Sequence, residues 1–365
     1  MSVTSTIIQK ILPRSQAPRR NILRFNPIED AVRVDAPKVE VDVFDYNAEK
    51  ISYVEFDNVY ACKAFKNNKN VTWINVDGLR KHDVEVICKE YDVHPLLVED
   101  ILSMGQRPKM DELDNVLFCL LNMLYYNNQT SSIESEQVSI VLGKDFVLSF
   151  QEEPNRDVFT PIREKLKVAG SKLRIAGADY LCYSLIDIIV DNYYSVLEKL
   201  GDHIEALEEE IIRRSDARSL AYINNLRKEL IILKRTINPV REVINGFMRT
   251  DSDLLNEKTL RYFKDVYDHI VQANDLVENY RDMMMSLQDL YLNRVNLRLN
   301  EVMKVMAIVT CLLAPATVIG GIFGMNFESI PYLHNRYGFY AAVTLMLLIP
   351  VWMVYLFKKR GWFKS

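Results

Sequence analysis

The chain has 365 residues, 49% hydrophobic and 26% charged, with a net charge of −4. A nearly balanced, slightly acidic chain with no basic stripe and no interleaved aromatics excludes nucleic acid as its main partner. Two uncharged runs fall within roughly the last sixty residues, which leaves about three hundred for a water-soluble part able to bury its own core.

Residues 1–38 read as an N-terminal arm. Met1 to Asn21 carry Lys10, Arg14, Arg19 and Arg20 but no apolar stretch of the signal-peptide kind, so the soluble part is expected in the cytoplasm. Residues 39–178 then alternate β-type runs (39–46, 51–56, 71–76, 116–125, 138–142 and 146–150) with helical segments (79–91 and 94–102). That alternation predicts a mixed α and β domain. Cys62, Cys88, Cys119, Cys182 and Cys311 are far apart with no CxxC pair, which points to reduced structural thiols rather than a zinc ribbon or disulfide frame.

From Asp179 the hydrophobic period becomes helical. One helix is expected to about Arg214, carrying the acidic patch Glu205, Glu208, Glu209 and Glu210. A second is expected from about Ala217, bending near Pro239 and stopping near Gly246, so that 179–250 form an antiparallel pair. Asp251, Ser252 and Asp253 offer N-cap oxygens to a third helix, and between Phe247 and Ile319 there is no Gly and a single Pro, Pro315. Residues 251–327 therefore read as a stalk that continues unbroken into the first apolar run, a rod of ~105 Å at 1.5 Å per residue. A rod that long must bury its apolar stripe against neighbours, which predicts a symmetric oligomer.

Stepping by threes and fours, one face of the rod reads Phe263, Val266, Ile270, Ala273, Val277, Tyr280, Met284, Leu287 and Tyr291, a seam for packing on protein. On another face the same stepping gives Asp268, Gln272, Asp275, Asn279, Asp282, Ser286, Asp289, Asn293, Asn296 and Asn300, oxygen-bearing and without a cation. It continues as Met303, Ala307, Thr310, Ala314, Thr317, Gly321 and Gly324. Two readings are open: a solvated face followed by a small-residue packing seam, or an anionic vestibule leading into a hydroxyl- and glycine-lined channel.

Residues 305–327 and 339–357 contain no Asp, Glu, Lys, Arg or His, and each is long enough to cross ~30 Å of hydrocarbon. The chain thus ends in a two-helix membrane hairpin with a short loop at 328–337. Lys358, Lys359 and Arg360 follow the second span, in a tail at 358–365, whereas the loop holds one Glu, one Arg and one His, so both termini are expected inside and the loop outside. Where the first span ends stands Gly324-Met325-Asn326. Magnesium demands near-octahedral oxygen coordination and gives up its waters reluctantly, so a channel for it gains most by hydrogen-bonding the hydration shell. A ring of Asn326 amides beside Gly324 carbonyls suits that task, and the absence of Asp or Glu avoids trapping the ion. Met303, Met306 and nearby aliphatics suit either an apolar collar that closes by dewetting or ordinary packing.

Longer segments point the same way. They are Leu97-Val98-Glu99-Asp100-Ile101-Leu102 with Gln106-Arg107-Pro108-Lys109, then Ser149-Phe150-Gln151-Glu152, Ala178-Asp179-Tyr180-Leu181 with Ser184-Leu185-Ile186-Asp187, and Tyr262-Phe263-Lys264-Asp265-Val266-Tyr267-Asp268-His269. Glu301-Val302-Met303-Lys304-Val305 and Gly321-Ile322-Phe323-Gly324-Met325-Asn326-Phe327-Glu328 complete the set. From about residue 40 to the C-terminus the chain resembles the CorA family of magnesium transport proteins, whose hallmark is Gly-Met-Asn at the end of the first of two C-terminal spans.

The resemblance implies a funnel-shaped homopentamer with a cytoplasmic α/β/α sandwich, long helices and a two-helix membrane hairpin in the inner cell membrane, the long helix lining the pore. It implies inward flow of Mg²⁺, with Co²⁺ and Ni²⁺ as substitutes, and a regulatory cation between neighbouring cytoplasmic domains. The residues matching its ligands are Asp100 and Asp265, with Glu99 and Asp187 in an adjoining site. Matching pore positions are Asn300, Met303, Met306, Thr317, Gly321, Gly324 and Asn326; the stripe adds Thr310 and Ala314, and Met325 of the tripeptide is expected to line the pore with them. Ala314 departs from the bulkier apolar residue expected before the matching proline, which leaves the constriction wider there or shifted toward Met303 and Met306. Lys358, Lys359 and Arg360 match a basic cluster around the pore at the inner membrane face, and serve equally as lipid anchors.

Two rival readings are an exporter of zinc or another divalent ion on the same architecture, which the intact Met325 disfavours, and a membrane-anchored metal sensor that conducts nothing. No HExxH, P-loop, GxSxG or paired His/Cys site points to an enzyme, and His82, His94, His203, His269 and His334 are scattered and read as structural or surface residues.

Overall fold

β-branched and aromatic residues concentrate in β1 (Glu40–Tyr46), β2 (Ile51–Phe56), β3 (Val71–Asp77), β5 (Val116–Asn127), β6 (Ser132–Leu142) and β7 (Phe146–Gln151), while β4 (Lys109–Leu113) is polar. In this computed structural model, residues 35–56, 59–66, 68–153, 158–213, 217–325 and 336–362 are described. The chain forms two compact units: one takes in residues up to Glu210 with Asp216–Leu287, the other Ile211–Ser215 with Gln288–Ser365.

In the first unit the strands make one sheet in the order β2-β1-β3-β7-β6-β5-β4. β3 and β7 pair in parallel and every other neighbour is antiparallel. Both central strands are buried almost throughout, as strands covered on two faces must be. On one face Val41, Val43, Ile74, Val76, Leu148 and Phe150 pack with Val84 and Ile87 of α1 (Lys81–Glu90), Leu97 and Ile101 of α2 (Pro95–Leu102), and Cys62 of a 3-10 helix, Val59–Phe65. Elsewhere in the sheet Trp73 stacks on Phe44 with ring centroids 5.1 Å apart, meets Phe159 edge-on and donates its indole N–H to Ser149 Oγ at 2.9 Å.

Four helices follow: α3 (Thr160–Lys167), α4 (Lys172–Ile175), α5 (Ala178–Arg213) and α6 (Ala217–Arg249). α5 is seated on β5 by Tyr193, whose hydroxyl donates to the Asn122 carbonyl at 2.7 Å, and by the Asn192 amide, which donates to Leu124 O at 2.6 Å. α6 contains Pro239 and ends at Arg249, three residues past Gly246 and within the expected 179–250. At Gly246 an added Cβ would stand 3.2 Å from the Met110 sulfur of β4, so the glycine lets α6 lie close on that strand. That contact also explains β4, whose sequence Lys-Met-Asp-Glu-Leu carries no strand signal; pairing with β5 and cover from α6 make it an edge strand. Cys62, Cys88, Cys119 and Cys182 are free and buried, and burial pushes the Cys62 thiol up to about 11 and the Cys88 thiol up to about 12.

The rod is α7, a single helix of 67 residues, Glu257–Phe323, with Pro315 inside it. Its start is later than Asp251, Ser252 and Asp253 predict. The backbone N–H of Asn256 and the hydroxyl of Thr259 both donate to Asp179 Oδ2, at 3.1 and 2.6 Å, so a buried carboxylate from the first turn of α5 serves the helix in place of a local cap. Gly177 makes room for it, since a Cβ there would lie 2.8 Å from Asp179 Oδ1. The apolar seam is buried at Phe263, Val266, Ile270, Ala273, Val277, Met284 and Leu287, with Phe263 stacked on Phe247 of α6 at 4.8 Å.

The second unit holds the C-terminal part of α7 and α8 (Gly338–Lys359), which contains Pro350. Both helices contain a stretch long and apolar enough to cross a membrane. Gly320 faces α8, where an added Cβ would lie 3.8 Å from Met346 Cε. Lys358 and Lys359 occupy the last turn of α8, where cations complement the helix dipole, and Trp362 stacks on Phe357. Residues 328–335 of the expected loop lie outside the described residues.

Replacing Asp179 with Ala removes a charged acceptor and strands two donors at the start of α7. The expected loss is about 2 kcal/mol, read as a lower thermal midpoint of the full-length protein, and Asp179→Asn, which keeps an acceptor oxygen, is expected to lose less.

Candidate ion path and metal sites

A helix of 3.6 residues per turn presents a stripe stepped by threes and fours on one side, and on α7 the two stripes separate cleanly by burial. Every oxygen-bearing position from Asp268 through Gln272, Asp275, Asn279, Asp282, Ser286, Asp289, Asn293 and Asn296 to Asn300 is exposed, while the opposed seam is buried from Phe263 to Leu287 except at Tyr280, which like Tyr291 is half-buried. In the second unit Met303, Met306, Thr310, Ala314, Thr317, Gly321, Gly324 and Met325 are exposed as well. Thr310 and Thr317 donate their hydroxyls to the Met306 and Leu313 carbonyls four residues back, at 2.9 and 3.1 Å. The hydroxyl oxygens thereby keep their lone pairs for the outer side, as acceptors for water.

α7 ends at Phe323. Gly324 N–H still reaches the Gly320 carbonyl at 3.0 Å, and Met325 N–H bonds Ile322 O at 3.3 Å, a tighter last turn. A Cβ on Gly324 would stand 3.0 Å from the Gly320 oxygen, so the glycine lets the chain close over the helix end. Asn326, the third residue of the tripeptide, lies outside the described residues.

The regulatory candidates lie in the first unit. Glu99 is exposed on α2. Asp100 beside it is engaged: Lys109 Nζ lies 2.6 Å from Oδ2 and the Gln106 amide donates to Oδ1 at 3.1 Å. Any cation bound by Asp100 must displace or share with that ammonium. Asp265 is exposed on α7, and Asp187 is half-buried on α5. Asp187 accepts a hydrogen bond from the Tyr183 hydroxyl at 3.1 Å. Its carboxyl is held above the ordinary carboxylate range, first by desolvation and then by the Asp191 carboxylate, with Asp265 adding to the effect and Tyr183 and His269 opposing it.

Asp187 therefore does not stand with Glu99 and Asp100 in one chain's contacts; its neighbours are Asp191, His269 and Asp265. Asp187, Asp191 and His269 each offer a ligand atom within 4.8 Å of the others. His269, read from sequence as a scattered structural or surface residue, stands with Asp187 and Asp191 in one group of donor atoms. The overlooked signal is spacing: Asp187 and Asp191 are four residues apart on α5, and Asp265 and His269 four apart on α7, so two facing helices each present two donors on one side.

A sequence profile of the CorA-like Mg²⁺ transporter proteins matches residues 68–359. The chain belongs to the CorA family. The cobalt/magnesium transport protein CorA of Thermotoga maritima is 40% identical over 324 residues, covering 88% of this chain and 92% of that one. The protein of the same name from Methanocaldococcus jannaschii is 30% identical over 288 residues, 78% of this chain and 84% of that one. In three dimensions the complete structure of the Methanocaldococcus jannaschii CorA magnesium transporter superposes with a TM-score of 0.73 at 21% identity, covering 88% of this chain and 98% of that one, which shows the shared fold.

In this CorA-family chain the elevated Asp187 has a consequence for stability. A carboxyl whose pKa is raised by folding contributes stability below its unfolded value, and that contribution is lost as pH rises through the folded value. Ionised Asp187 thus opposes folding at neutral pH when no cation is near. Asp187→Asn is expected to raise the thermal midpoint of the chelator-treated protein at pH 7, with the gain shrinking as pH falls toward 4.

Proposed function

We propose that copies of this chain assemble, as a pentamer, into a channel that carries Mg²⁺ into the cell across the inner membrane, with Co²⁺ and Ni²⁺ as substitute ions. The observation that carries this reading is the unbroken exposed stripe of α7, oxygen-bearing from Asp268 to Asn300 and then hydroxyl, small or apolar down to Gly324, set against an opposite seam that is buried between Phe263 and Leu287 except at the half-buried Tyr280. Around a common axis such stripes gather hydrated cations by their negative charge and pass them without a fixed charge in the membrane segment. The Asn326 amides and Gly324 carbonyls hydrogen-bond the hydration shell at the mouth, and Met303 and Met306 form the apolar constriction, with Ala314 a wider point. Membership of a transporter family, and relatives named for cobalt and magnesium transport, support this reading.

Both termini lie on the cytoplasmic side, with Lys358, Lys359 and Arg360 at the inner surface. Internal Mg²⁺ is the regulator: it bridges Asp265 of one copy to Asp100 of the next, with Glu99 and Asp187 adjoining, neutralises their repulsion and holds the α7 helices closed. Loss of the ion frees them. Oxygen-only ligands of this sort match loose binding, in the millimolar range at the weak end, ~10⁻³ M. The exposed Asp265 and the Lys109-paired Asp100 are both reachable from outside their own chain.

The test is uptake into liposomes holding the purified protein. Mg²⁺ flux is expected in the unaltered channel and its loss in Asn326→Ala; absence of flux in the unaltered protein overturns the channel reading in favour of a non-conducting sensor. In the same vesicles Asp265→Asn is expected to keep conduction while shifting inhibition by internal Mg²⁺ to about tenfold higher concentration, and unchanged inhibition removes Asp265 from the regulatory site.

A further inference from the structure

α8 runs past its last apolar turn into Lys358 and Lys359, and Arg360 closes it. Met346, Ile349, Met353 and Phe357, stepped by threes and fours, are half-buried and form the side of α8 on which Met346 lies against Gly320 of α7. The same stepping gives two exposed stripes: Leu347, Val351, Val354 and Lys358, and beside it Leu348, Trp352, Tyr355 and Lys359. Each lysine therefore prolongs an uncovered apolar stripe rather than the covered side. The end of the helix is locked. Gly361, at φ +76°, donates its N–H to Lys358 O at 3.2 Å, while Trp362 donates to Phe357 O at 3.0 Å and stacks on its ring with centroids 5.0 Å apart. This glycine-centred cap satisfies the last carbonyls from the backbone, so the three cationic side chains are not needed to close the helix. Lys358, Lys359 and Arg360 are exposed, and no carboxylate among the described residues pairs with them. At 1.5 Å per residue the 22 residues of α8 span ~33 Å, about the thickness of a hydrocarbon core, which sets Lys358 to Trp362 at headgroup level.

We propose that Lys358, Lys359 and Arg360, with Trp362 beside them, form a site for the phosphate headgroup of an anionic phospholipid in the leaflet at this end of α8. The two ammonium groups act as point charges, and the guanidinium fork matches two phosphate oxygens at once. The lysine stems lie along the apolar stripes while their charged ends reach the surface, and the indole of Trp362 suits the boundary where one side is apolar and the other wet. A zwitterionic headgroup carries its own cation beside the phosphate, so three uncompensated positive charges favour a lipid with net negative charge. A soluble phosphate offers the same oxygens. The lipid is favoured over it because Lys358 and Lys359 continue the stripes of Val351 and Trp352, along which an acyl chain packs while its headgroup is held. This assignment rests on the reading proposed above in which α7 lines the axis, since the side of α8 away from α7 then looks into lipid. Cations turned toward the axis would instead stand in the ion path.

The experiment uses the full-length protein carrying Trp352→Phe, in vesicles of phosphatidylcholine and phosphatidylglycerol. Of the three tryptophans, Trp73 is buried in the sheet of the first unit and gives a constant background, so the emission open to quenching is that of Trp362. Bromine is placed on the acyl chains of one lipid or the other at equal content. Brominated phosphatidylglycerol is expected to quench Trp362 more strongly than brominated phosphatidylcholine. The preference is expected to fall about fivefold for each of Lys358→Gln, Lys359→Gln and Arg360→Gln, and to vanish when all three are combined. Quenching by brominated phosphatidylcholine is read in every variant, and only variants that retain it, with α8 still in the bilayer, are compared. Equal quenching by the two lipids in the parent protein, or a preference that survives the triple substitution, overturns the assignment. Displacement of the brominated phosphatidylglycerol by inorganic phosphate at matched ionic strength overturns it in favour of a soluble anion. Mg²⁺ flux is measured in the same vesicles: lipid preference without flux overturns only the channel reading, and flux without lipid preference overturns only the lipid site.

Discussion

Burial of one face of α7 is the constraint from which the remaining arrangement follows. A helix of 67 residues cannot be held by its own backbone bonds and draws its stability from packing an apolar stripe. In the first unit that stripe is Phe263, Val266, Ile270, Ala273, Val277, Met284 and Leu287, and its neighbours include Phe247 of α6 and Tyr183 of α5. Once this face is committed, helical geometry dictates which residues stay uncovered: the Asp, Asn, Gln and Ser positions from Asp268 to Asn300. The same rotation carries the line onward to Thr310, Thr317, Gly321 and Gly324. A single packing requirement therefore produces a continuous polar surface without any residue chosen for that surface alone being buried.

Asp179 anchors the same helix by a different force. Its carboxylate is almost fully buried and takes the Asn256 N–H and the Thr259 hydroxyl, so α5 and α7 start from one shared acceptor. Fixing the two helices at their N-terminal ends also fixes the register in which Asp187 and Asp191 meet Asp265 and His269 further along. Asp179 is satisfied by two donors, whereas the Asp187 carboxyl has Tyr183 as its donor and is held above the ordinary range by desolvation and by the like charges of Asp191 and Asp265.

The exposed stripe of α7 and the Asp187, Asp191 and His269 group differ in the donor atoms they present. From Asn293 to Gly324 the stripe offers amide, hydroxyl and backbone carbonyl oxygens and no carboxylate, whereas from Asp268 to Asp289 it carries four aspartates. Asp100, Asp187, Asp191, Asp265 and His269 all belong to the first unit.

Much of this was legible in the residues themselves. Six of the seven strands, the long helices, both apolar spans, the buried seam and the exposed stripe follow from period and composition, because each depends on local spacing along one element. The polar strand β4, the start of α7 at Glu257 and the company kept by Asp187 were decided by tertiary structure. In each case the deciding partner is distant in the chain: β5 and α6 for β4, Asp179 for α7, and His269 for the Asp187 and Asp191 pair. Sequence order states which side of a helix a residue occupies, since backbone geometry is the same everywhere. Which two sides are brought face to face depends on packing summed over the whole unit, and no local period contains that sum.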